Sequence, residues 1–279
     1  MNILFIGDIV GRPGRDLMRA GLDAIVNRHS VDFVIANAEN AAGGFGITRE
    51  IGDDLLARGV DVMTSGNHIW DKKEAVGYIG VEARLLRPIN YPAGVPGRGS
   101  YVGRTASGRA VGVINAMGRV FMLPIDDPFA VVLREVNTLR QRTPMIFVDF
   151  HAEATSEKIA MGWHLAGKVT AVVGTHTHVQ TADDRILPGG TAYITDVGMT
   201  GPHDGIIGVE REPALARFLN GMPARFDTAS GDPRLHAVVV AADDETGRAV
   251  SMTRLSYSLS ELLALAAEEP VEAESRDGR

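Results

Sequence analysis

The chain has 279 residues, of which 35 are acidic and 28 basic, so its formal net charge is −7. This balance disfavours broad electrostatic binding to duplex nucleic acid or to an anionic membrane, although a bound metal can reverse the potential at one site. The sequence has no cysteine, which excludes a disulfide framework, a thiolate nucleophile and a zinc–thiolate site. Any metal must therefore be held by His, Asp, Glu or Asn.

Short apolar runs alternate with helical stretches along the first two-thirds of the chain. The predicted strands are NILFIG, DFVIAN, VDVMTSG, AVGVINA, PMIFVDFHA and KVTAVVG. The predicted helices are GRDLMRAGLDAIVNRH, TREIGDDLLARG, residues 127–141 and residues 155–166. Because the strand runs do not alternate apolar with polar residues, we expect both strand faces to be buried, in sheets that helices cover.

The remaining stretches are less regular. Residues 87–109 are rich in Pro and Gly and predict a long excursion that carries a hairpin. After residue 180, RILPGGTAYITDVG and RLHAVVVAADDETGRAVSMTRLSYS predict antiparallel strands, with DDETG as a turn. We expect a single domain over residues 1–267 and a disordered acidic tail over residues 268–279.

The N-terminus indicates where the protein works. The run MNILFIGDIV has no basic leader and no small-residue cleavage site, and its apolar part is too short to span a bilayer. We therefore expect a cytoplasmic protein that has no contact with membranes.

Each of five predicted strands is followed directly by a side chain that can bind a metal or titrate. These residues are Asp8, Glu39, Asn40, Asn67, His68, His151, His176 and His178. Taken singly, each has an ordinary structural interpretation, such as a turn, a helix cap or a satisfied core histidine. Because ligands of open α/β sheets sit beyond the carboxyl ends of the strands, the joint pattern predicts one shared metal site.

The residue types suit two divalent ions that clamp an in-line displacement at phosphorus. Glu39 is the natural bridging carboxylate, and Asn40 and Asn67 supply uncharged oxygen ligands. Neutral imidazoles come from His151, His176 and His178. With Asp8, two carboxylates face two dications, and the residual positive charge attracts a phosphate and lowers the pKa of a bridging water.

Three further residues are candidates for contacts with the substrate. His68 follows Asn67 and is predicted to protonate the leaving alkoxide as a general acid; the alternative is that it only hydrogen-bonds the phosphate. Phe45, in the loop AAGGFG, could stack on a base or anchor its own loop. Arg119 follows a predicted strand and could reach a phosphate oxygen or form a surface salt bridge.

The order GD, EN, GNH, a lone His and THTH resembles the calcineurin-like metallophosphoesterase superfamily, with three departures. Val10 stands where that pattern has the histidine of D-x-H, Glu39 replaces the bridging aspartate, and Ile69 replaces the acidic residue after GNH. These departures, together with NAENAAGGFGIT, SGNHIWDKKE and GTHTHVQTAD, resemble the YmdB family of bacterial metallophosphoesterases, from residue 1 to about residue 260.

The resemblance implies an α/β fold, a four-layer α/β/β/α sandwich with a dinuclear site at one edge. The ligand sets that it implies are Asp8, Glu39, Asn40 and His178 for one metal, and Glu39, Asn67, His151 and His176 for the other. It implies iron or manganese as the usual metals, with Mg, Zn and Ni as alternatives, and assembly into a homo-oligomer. The implied activity is hydrolysis of cyclic nucleotides, notably 2′,3′-cyclic AMP, by attack of a metal-bound hydroxide.

Three hypotheses of function stay open at this point. The first is a dinuclear-metal phosphodiesterase that acts on small cyclic nucleotides. The second is a phosphodiesterase or nuclease that acts on RNA ends, for which the cyclic nucleotide is a minimal substrate. The third is a regulatory protein in which the metal site mainly holds a binding surface.

Overall fold

A computed structural model describes residues 1–268 of the chain, so most of the tail that was predicted to be disordered lies outside the described residues. The strands are β1 (Asn2–Ile6), β2 (Asp8–Ile9), β3 (Phe33–Asn37), β4 (Val62–Thr64), β5 (Ser100–Arg104), β6 (Ala110–Met117), β7 (Ile146–His151), β8 (Ala171–Thr175), β9 (Arg185–Leu187), β10 (Thr191–Ile194), β11 (Met199–Asp204), β12 (Gly231–Ala242) and β13 (Ala249–Ser258). The helices are α1 (Gly11–Arg28), α2 (Arg49–Ala57), α3 (Lys73–Val81), α4 (Pro128–Leu139), α5 (Thr155–Leu165), α6 (Arg211–Asn220) and α7 (Leu259–Ala267).

The larger of two sheets has seven strands in the order β2-β11-β12-β1-β3-β4, with β13 paired to β12. Strands β1, β3 and β4 are parallel to one another. Strand β12 runs antiparallel to β1, to β11 and to β13. The carboxyl ends of β1, β3 and β4 therefore lie together at one edge of this sheet.

The smaller sheet has six strands in the order β5-β6-β7-β8-β10-β9. Its four inner strands are parallel, and the two edge strands β5 and β9 are antiparallel to their neighbours. The carboxyl ends of β7 and β8 lie side by side, so the chain that follows them can share one site.

The two sheets pack face to face through an apolar core. Ile3 and Phe5 of β1 point into this core, and the ring of Phe5 stacks on that of Phe147 of β7 at 5.5 Å between centroids. Leu4 and Ile6 of the same strand face the helices on the opposite side. Strand β1 is thus buried on both faces, which is why its sequence does not alternate between apolar and polar residues.

Helices cover the outer face of each sheet. Leu17 of α1 and Leu262 of α7 belong to the apolar cluster on the larger sheet. Val132 of α4 and Met161 of α5 belong to the corresponding cluster on the smaller sheet. The order of layers is therefore helix, sheet, sheet, helix, which confirms the predicted α/β/β/α sandwich. In the part of the chain that is described, no helix is both long and apolar enough to cross a membrane.

Three helices were missing from the sequence prediction: α3, α6 and α7. Helix α6 buries only Ala214, so it has no apolar stripe that would mark a helix packed on a core. The predicted hairpin exists as β5 and β6, but it extends to residue 117, beyond the Pro- and Gly-rich excursion.

Candidate metal centre

The seven predicted metal donors come from both sheets and meet at the edge where the carboxyl ends of the strands adjoin. Glu39, His151 and His176 each offer a ligand atom, and these three atoms lie within 4.8 Å of one another. Asn67 Oδ1 lies 3.0 Å from His151 Nε2, and Asn40 Nδ2 lies 3.4 Å from His178 Nε2. The structure therefore brings together donors that are separated by up to 170 positions in sequence.

Three of the four oxygen donors, Asp8, Glu39 and Asn40, are almost fully buried. Glu39 Oε1 lies 3.0 Å from His151 Nε2, and Glu39 Oε2 accepts a hydrogen bond from the backbone N–H of His68 at 3.2 Å. Asp8 Oδ2 accepts from the backbone N–H of His176 at 3.2 Å. Asp8 Oδ1 and Asn40 Oδ1 are buried and have no hydrogen-bond partner within residues 1–268. Such orphaned acceptors are costly unless a cation or water satisfies them.

Gly66 lies directly under the donors. A Cβ atom at this position would lie 2.2 Å from His151 Nε2 and 2.5 Å from Glu39 Oε2. Only glycine therefore lets β4 end close enough for donors from the two sheets to converge.

Each of the three imidazoles has one ring nitrogen held by a protein acceptor on the side away from the cluster. His151 Nδ1 lies 2.9 Å from Thr175 Oγ1, which itself donates to Asp149 Oδ1 at 2.7 Å. His176 Nε2 lies 3.1 Å from Glu153 Oε2. These contacts place the N–H on the outer nitrogen and leave the lone pair of the other nitrogen for the cluster, which is the tautomer that a metal requires.

The same arrangement holds for His178. Its Nδ1 lies 2.8 Å from the carbonyl oxygen of Ile207, so Nδ1 donates and Nε2 faces Asn40. Ile207 has a φ of 46°, which is unusual for a β-branched residue. The carbonyl that orients His178 is therefore presented by a strained turn.

The THTH segment that carries two of the histidines also has strained backbone. His176 has a φ of 95° and His178 a φ of 66°. Between them, Thr177 donates from its N–H and its hydroxyl to Asp196 Oδ2, at 3.1 and 2.7 Å. Lys158 Nζ, also buried, lies 2.6 Å from the same oxygen. This buried ion pair holds a conformation that costs about 1–3 kcal/mol per strained residue.

The charges in the cluster favour a cation. Burial alone would lower the pKa of His151, but the carboxylates of Glu39 and Asp8 raise it to about 9. Burial alone would likewise raise the pKa of Glu39, but His151 and His68 lower it to about 2. Burial raises the pKa of Asp8. The two buried carboxylates thus attract positive charge, which a proton on His151 or a metal dication can supply.

The donor set fits one or more metal ions. It combines carboxylates, amide oxygens and imidazoles of fixed tautomer, and two of its acceptor atoms have no partner within the described chain. Such a mixed set suits transition metals such as iron, manganese or zinc.

His68 lies beside this cluster, with its side chain partly open to solvent. Its Nδ1 lies 2.8 Å from Asp71 Oδ2, which leaves Nε2 free for proton transfer. The ring of Phe45 packs edge-on against the ring of His68 at 5.0 Å between centroids. Phe45 therefore anchors its loop against His68, and it also lines the cavity above the donors.

A cavity of about 570 Å³ opens above the donors. Residues that line it from the predicted site are Glu39, Asn40, Phe45, His68, His176 and His178. The rest of the lining is formed by Val10, Gly44 and residues between Ile206 and Phe226, including part of α6. Val10 thus borders the cavity at the position where the superfamily pattern has a histidine.

Arg119 does not join the other predicted residues. Its guanidinium pairs with Asp127 at 3.4 Å, and the residue lines a different cavity together with Phe129 and Glu157. Arg119 thus forms the surface salt bridge that was the alternative for this residue, and it lies apart from the donors.

Several residues that hold the donors were missed by the sequence analysis. They are Asp71, Asp149, Glu153, Thr175 and Asp196. Four of them lie within three residues of a predicted ligand or of His68, and three of these four belong to the segments GNHIWD, HAE and GTHTH, which contained the signal. Asp149 and Asp196 become recognisable only once the strands are packed.

A two-sheet α/β sandwich with mixed carboxylate, amide and imidazole donors at its edge defines a protein with the metallophosphoesterase fold. A crystal structure of a phosphatase from Mycoplasma pneumoniae superposes with a TM-score of 0.87 and 33% identity, covering 92% of this chain and 93% of that one. A crystal structure of a hypothetical protein from Thermus thermophilus superposes with a TM-score of 0.85 and 44% identity, covering 92% and 99%.

The family model described as YmdB-like protein matches residues 4–255, and the chain belongs to this family. The chain is also 52% identical over 256 residues to the 2′,3′-cyclic-nucleotide 2′-phosphodiesterase of Bacillus subtilis, covering 91% of this chain and 96% of the relative. The resemblance inferred from the motifs is therefore confirmed.

Proposed function

We propose that this protein is a metal-dependent phosphodiesterase that hydrolyses 2′,3′-cyclic nucleotides at a dinuclear centre. The observation that carries the proposal is the convergence of two buried carboxylates, two amides and three tautomer-fixed imidazoles under a cavity that also exposes His68. The activity for which the Bacillus subtilis relative is named supports the choice of substrate.

In this proposal the donors divide into two sets that share one carboxylate. The sets are Asp8, Glu39, Asn40 and His178, and Glu39, Asn67, His151 and His176. Iron or manganese ions bound there would act as Lewis acids on the phosphate and would lower the pKa of a nucleophilic water. The short separation between Glu39 and the histidines is what favours Glu39 as the shared ligand.

The protein's own residues then bind and orient the substrate and move one proton. Water adds a hydroxyl to phosphorus and releases its other proton to solvent, the bond between phosphorus and the 2′ oxygen breaks, and a nucleoside 3′-phosphate forms. His68 gives its Nε2 proton to the leaving 2′ oxygen as a general acid, a role typically worth about 10²–10⁴ in rate. Asp71 keeps Nδ1 protonated, so that Nε2 is the nitrogen that exchanges the proton.

Three predictions from the sequence remain part of the proposal. The catalytic unit is a single domain over residues 1–267, the active form is a homo-oligomer, and the reaction takes place in the cytoplasm. The match of the family model, which covers residues 4–255, supports the prediction of a single domain.

The decisive experiment measures turnover of 2′,3′-cyclic AMP by manganese-loaded protein and by its His68→Ala variant. We expect turnover by the wild type, and a kcat at least about a hundredfold lower in the variant. His203→Ala is the matched control, because His203 is also half-buried and, within the described chain, its one side-chain hydrogen bond runs from Nδ1 to the carbonyl oxygen of Gly201.

The outcomes separate the parts of the proposal. No turnover by the metal-loaded wild type would overturn the phosphodiesterase function and favour a regulatory role. Full turnover by the His68→Ala variant would leave the metal centre in place but would exclude His68 as the general acid.

A further inference from the structure

The cavity above the metal donors is larger than a cyclic phosphate needs, and its far side is apolar. With a volume of about 570 Å³ it lies within the range of sites that hold drug-sized ligands. Its floor is formed by the polar donors. Beside Arg217, the lining from residues 206–226 is apolar and consists of Ile206, Ile207, Val209, Ala214, Phe218 and Phe226, which we call the apolar wall.

Aromatic rings are concentrated around this cavity. The sequence has 9 phenylalanines, and three of them, Phe45, Phe218 and Phe226, line it. Phe218 is 81% exposed although it is a large apolar residue. Phe226 is half-buried, and the guanidinium of Arg217 lies 5.5 Å from its ring centroid. Such rings, open on one face at the mouth of a polar site, are suited to stack on a planar ligand.

The apolar wall is connected physically to the metal donors. Ile207 contributes its side chain to the wall and its carbonyl oxygen to His178 Nδ1, at 2.8 Å. The positive φ of Ile207 is the local conformation that lets one residue do both. The backbone of a single turn therefore links the apolar wall to His178.

We infer that the apolar wall is a nucleobase subsite, in which Phe218 stacks on the base while the cyclic phosphate lies on the donors. This inference rests on the proposed function. The ribose of a 2′,3′-cyclic nucleotide carries its base away from the phosphate, and the apolar wall is the apolar surface of the cavity that the donors also line. Because stacking uses the face of a base and not its edge, the subsite accepts all four bases and favours purines, which have the larger face.

Two substrates separate base recognition from phosphate recognition. One is 2′,3′-cyclic AMP, and the other is glycerol 1,2-cyclic phosphate, which has the same five-membered cyclic phosphate but no base. Both are assayed with the manganese-loaded full chain and its Phe218→Ala variant. We expect kcat/KM for the nucleotide to fall about tenfold or more, mainly through KM, with no change for the glycerol compound.

Leu219→Ala is the matched control and Phe218→Trp the rescue. Leu219 is the next residue of α6 and is 78% exposed, and it lies outside the residues that line the cavity. We expect Leu219→Ala to behave as the wild type and Phe218→Trp to keep the preference for the nucleotide. An equal loss on both substrates, an unchanged KM in Phe218→Ala, or the same loss in Leu219→Ala would each overturn the base subsite.

A binding measurement keeps this inference separate from the proposed function. If the wild type turns over neither substrate, the proposed function fails, and the subsite is tested by calorimetry with adenosine 3′-monophosphate. Phe218→Ala must then weaken binding of this nucleotide about tenfold relative to the wild type and to Leu219→Ala. Unchanged binding would overturn the subsite.

Discussion

The two sheets contribute different chemistry to the candidate metal centre. The larger sheet supplies the oxygen donors, since Asp8, Glu39, Asn40 and Asn67 follow β1, β3 and β4. The smaller sheet supplies the imidazoles, which come from the end of β7 and the turn after β8. The anionic half and the imidazole half therefore meet only when the sheets pack, and the centre is a property of their interface rather than of either sheet.

A buried polar link joins the two halves directly beneath the centre. Asp149 Oδ2, on β7, accepts from Thr64 Oγ1 on β4 at 2.5 Å and from Asn37 Nδ2 on β3 at 3.2 Å. Asp149 Oδ1 accepts from Thr175 on β8. Hydrogen bonds are directional, whereas the apolar contacts around them are not. These hydrogen bonds therefore fix the position of one sheet relative to the other at the site.

Loss of the shared carboxylate should have the largest effect. Glu39→Gln keeps the shape of the side chain but removes a charge from the oxygen half, so the bound cations lose several kcal/mol of stabilisation. We expect kcat/KM for 2′,3′-cyclic AMP to fall at least about a thousandfold, together with bound metal measured by mass spectrometry.

The matched control for this variant is Glu153→Gln, which removes a carboxylate from the imidazole half. Glu153 pairs with the outer nitrogen of His176 and not with the nitrogen that faces the cluster, so the loss should be about tenfold. If Glu39→Gln kept its metal and its activity, the anionic half would not be needed for metal binding. The assignment of different roles to the two sheets would then be wrong.

Thr175→Val tests the imidazole half, and we expect a smaller effect than that of Glu39→Gln. Valine has the size of threonine but cannot accept from His151 Nδ1 or donate to Asp149, so the imidazole loses the partner that sets its tautomer. We expect the affinity for manganese, measured by calorimetry, to fall about 10–100-fold. Thr175→Ser keeps the hydroxyl and should restore the affinity; equal weakening in both variants would mean that Thr175 acts through packing alone.

His236 of the larger sheet is a histidine that is not a metal donor. We expect it to make the free energy of unfolding depend on pH, with a smaller effect than the variants above. Burial, with the charges of His203 and Arg234, lowers the pKa of His236 to about 4. The unfolded chain therefore binds more protons than the native protein between about pH 6.5 and about pH 4, and the free energy of unfolding falls as the pH falls through this window.

His236→Gln should flatten that dependence. The measurement compares urea midpoints at about pH 7 and about pH 5 for wild type and variant, with and without a chelator. The difference in pH dependence between wild type and variant should persist after the metal is removed. The reason is that the His236 ring packs against the ring of His203, at 4.6 Å between centroids, and not against the donors. If chelator abolished this difference between wild type and variant, His236 would belong to the metal centre instead.

The sequence predicted the donors because each one directly follows an apolar run. Parallel strands bring their carboxyl ends to one edge, so His151 and Asn67 could be placed together without knowledge of which strands are neighbours. The pairing itself could not be predicted. Nothing in the local sequence of β12 indicates that it lies between β1 and β11, since strand pairing depends on contacts between distant segments.

The residues around the donors were harder to predict for two physical reasons. Thr175 and Asp149 lie inside apolar runs, where a threonine is an ordinary strand residue and an aspartate gains its partners from the neighbouring strand and from the facing sheet. Phe218 lies on a helix that buries one residue, so periodicity did not mark it, and its place at the cavity follows from the turn at Ile207.

The position of β12 has a consequence for synthesis of the protein. Strand β1 is paired on one side by β3, but its other side is paired by β12, whose residues are 231–242. At roughly 5–20 residues per second, the nascent chain exposes that edge of β1 for about 10–50 s before its partner is made. An exposed apolar strand edge is a template for pairing with other chains. We therefore expect ribosome-bound chains that end before β12 to aggregate or to recruit chaperones, and chains that extend past it to be released from them.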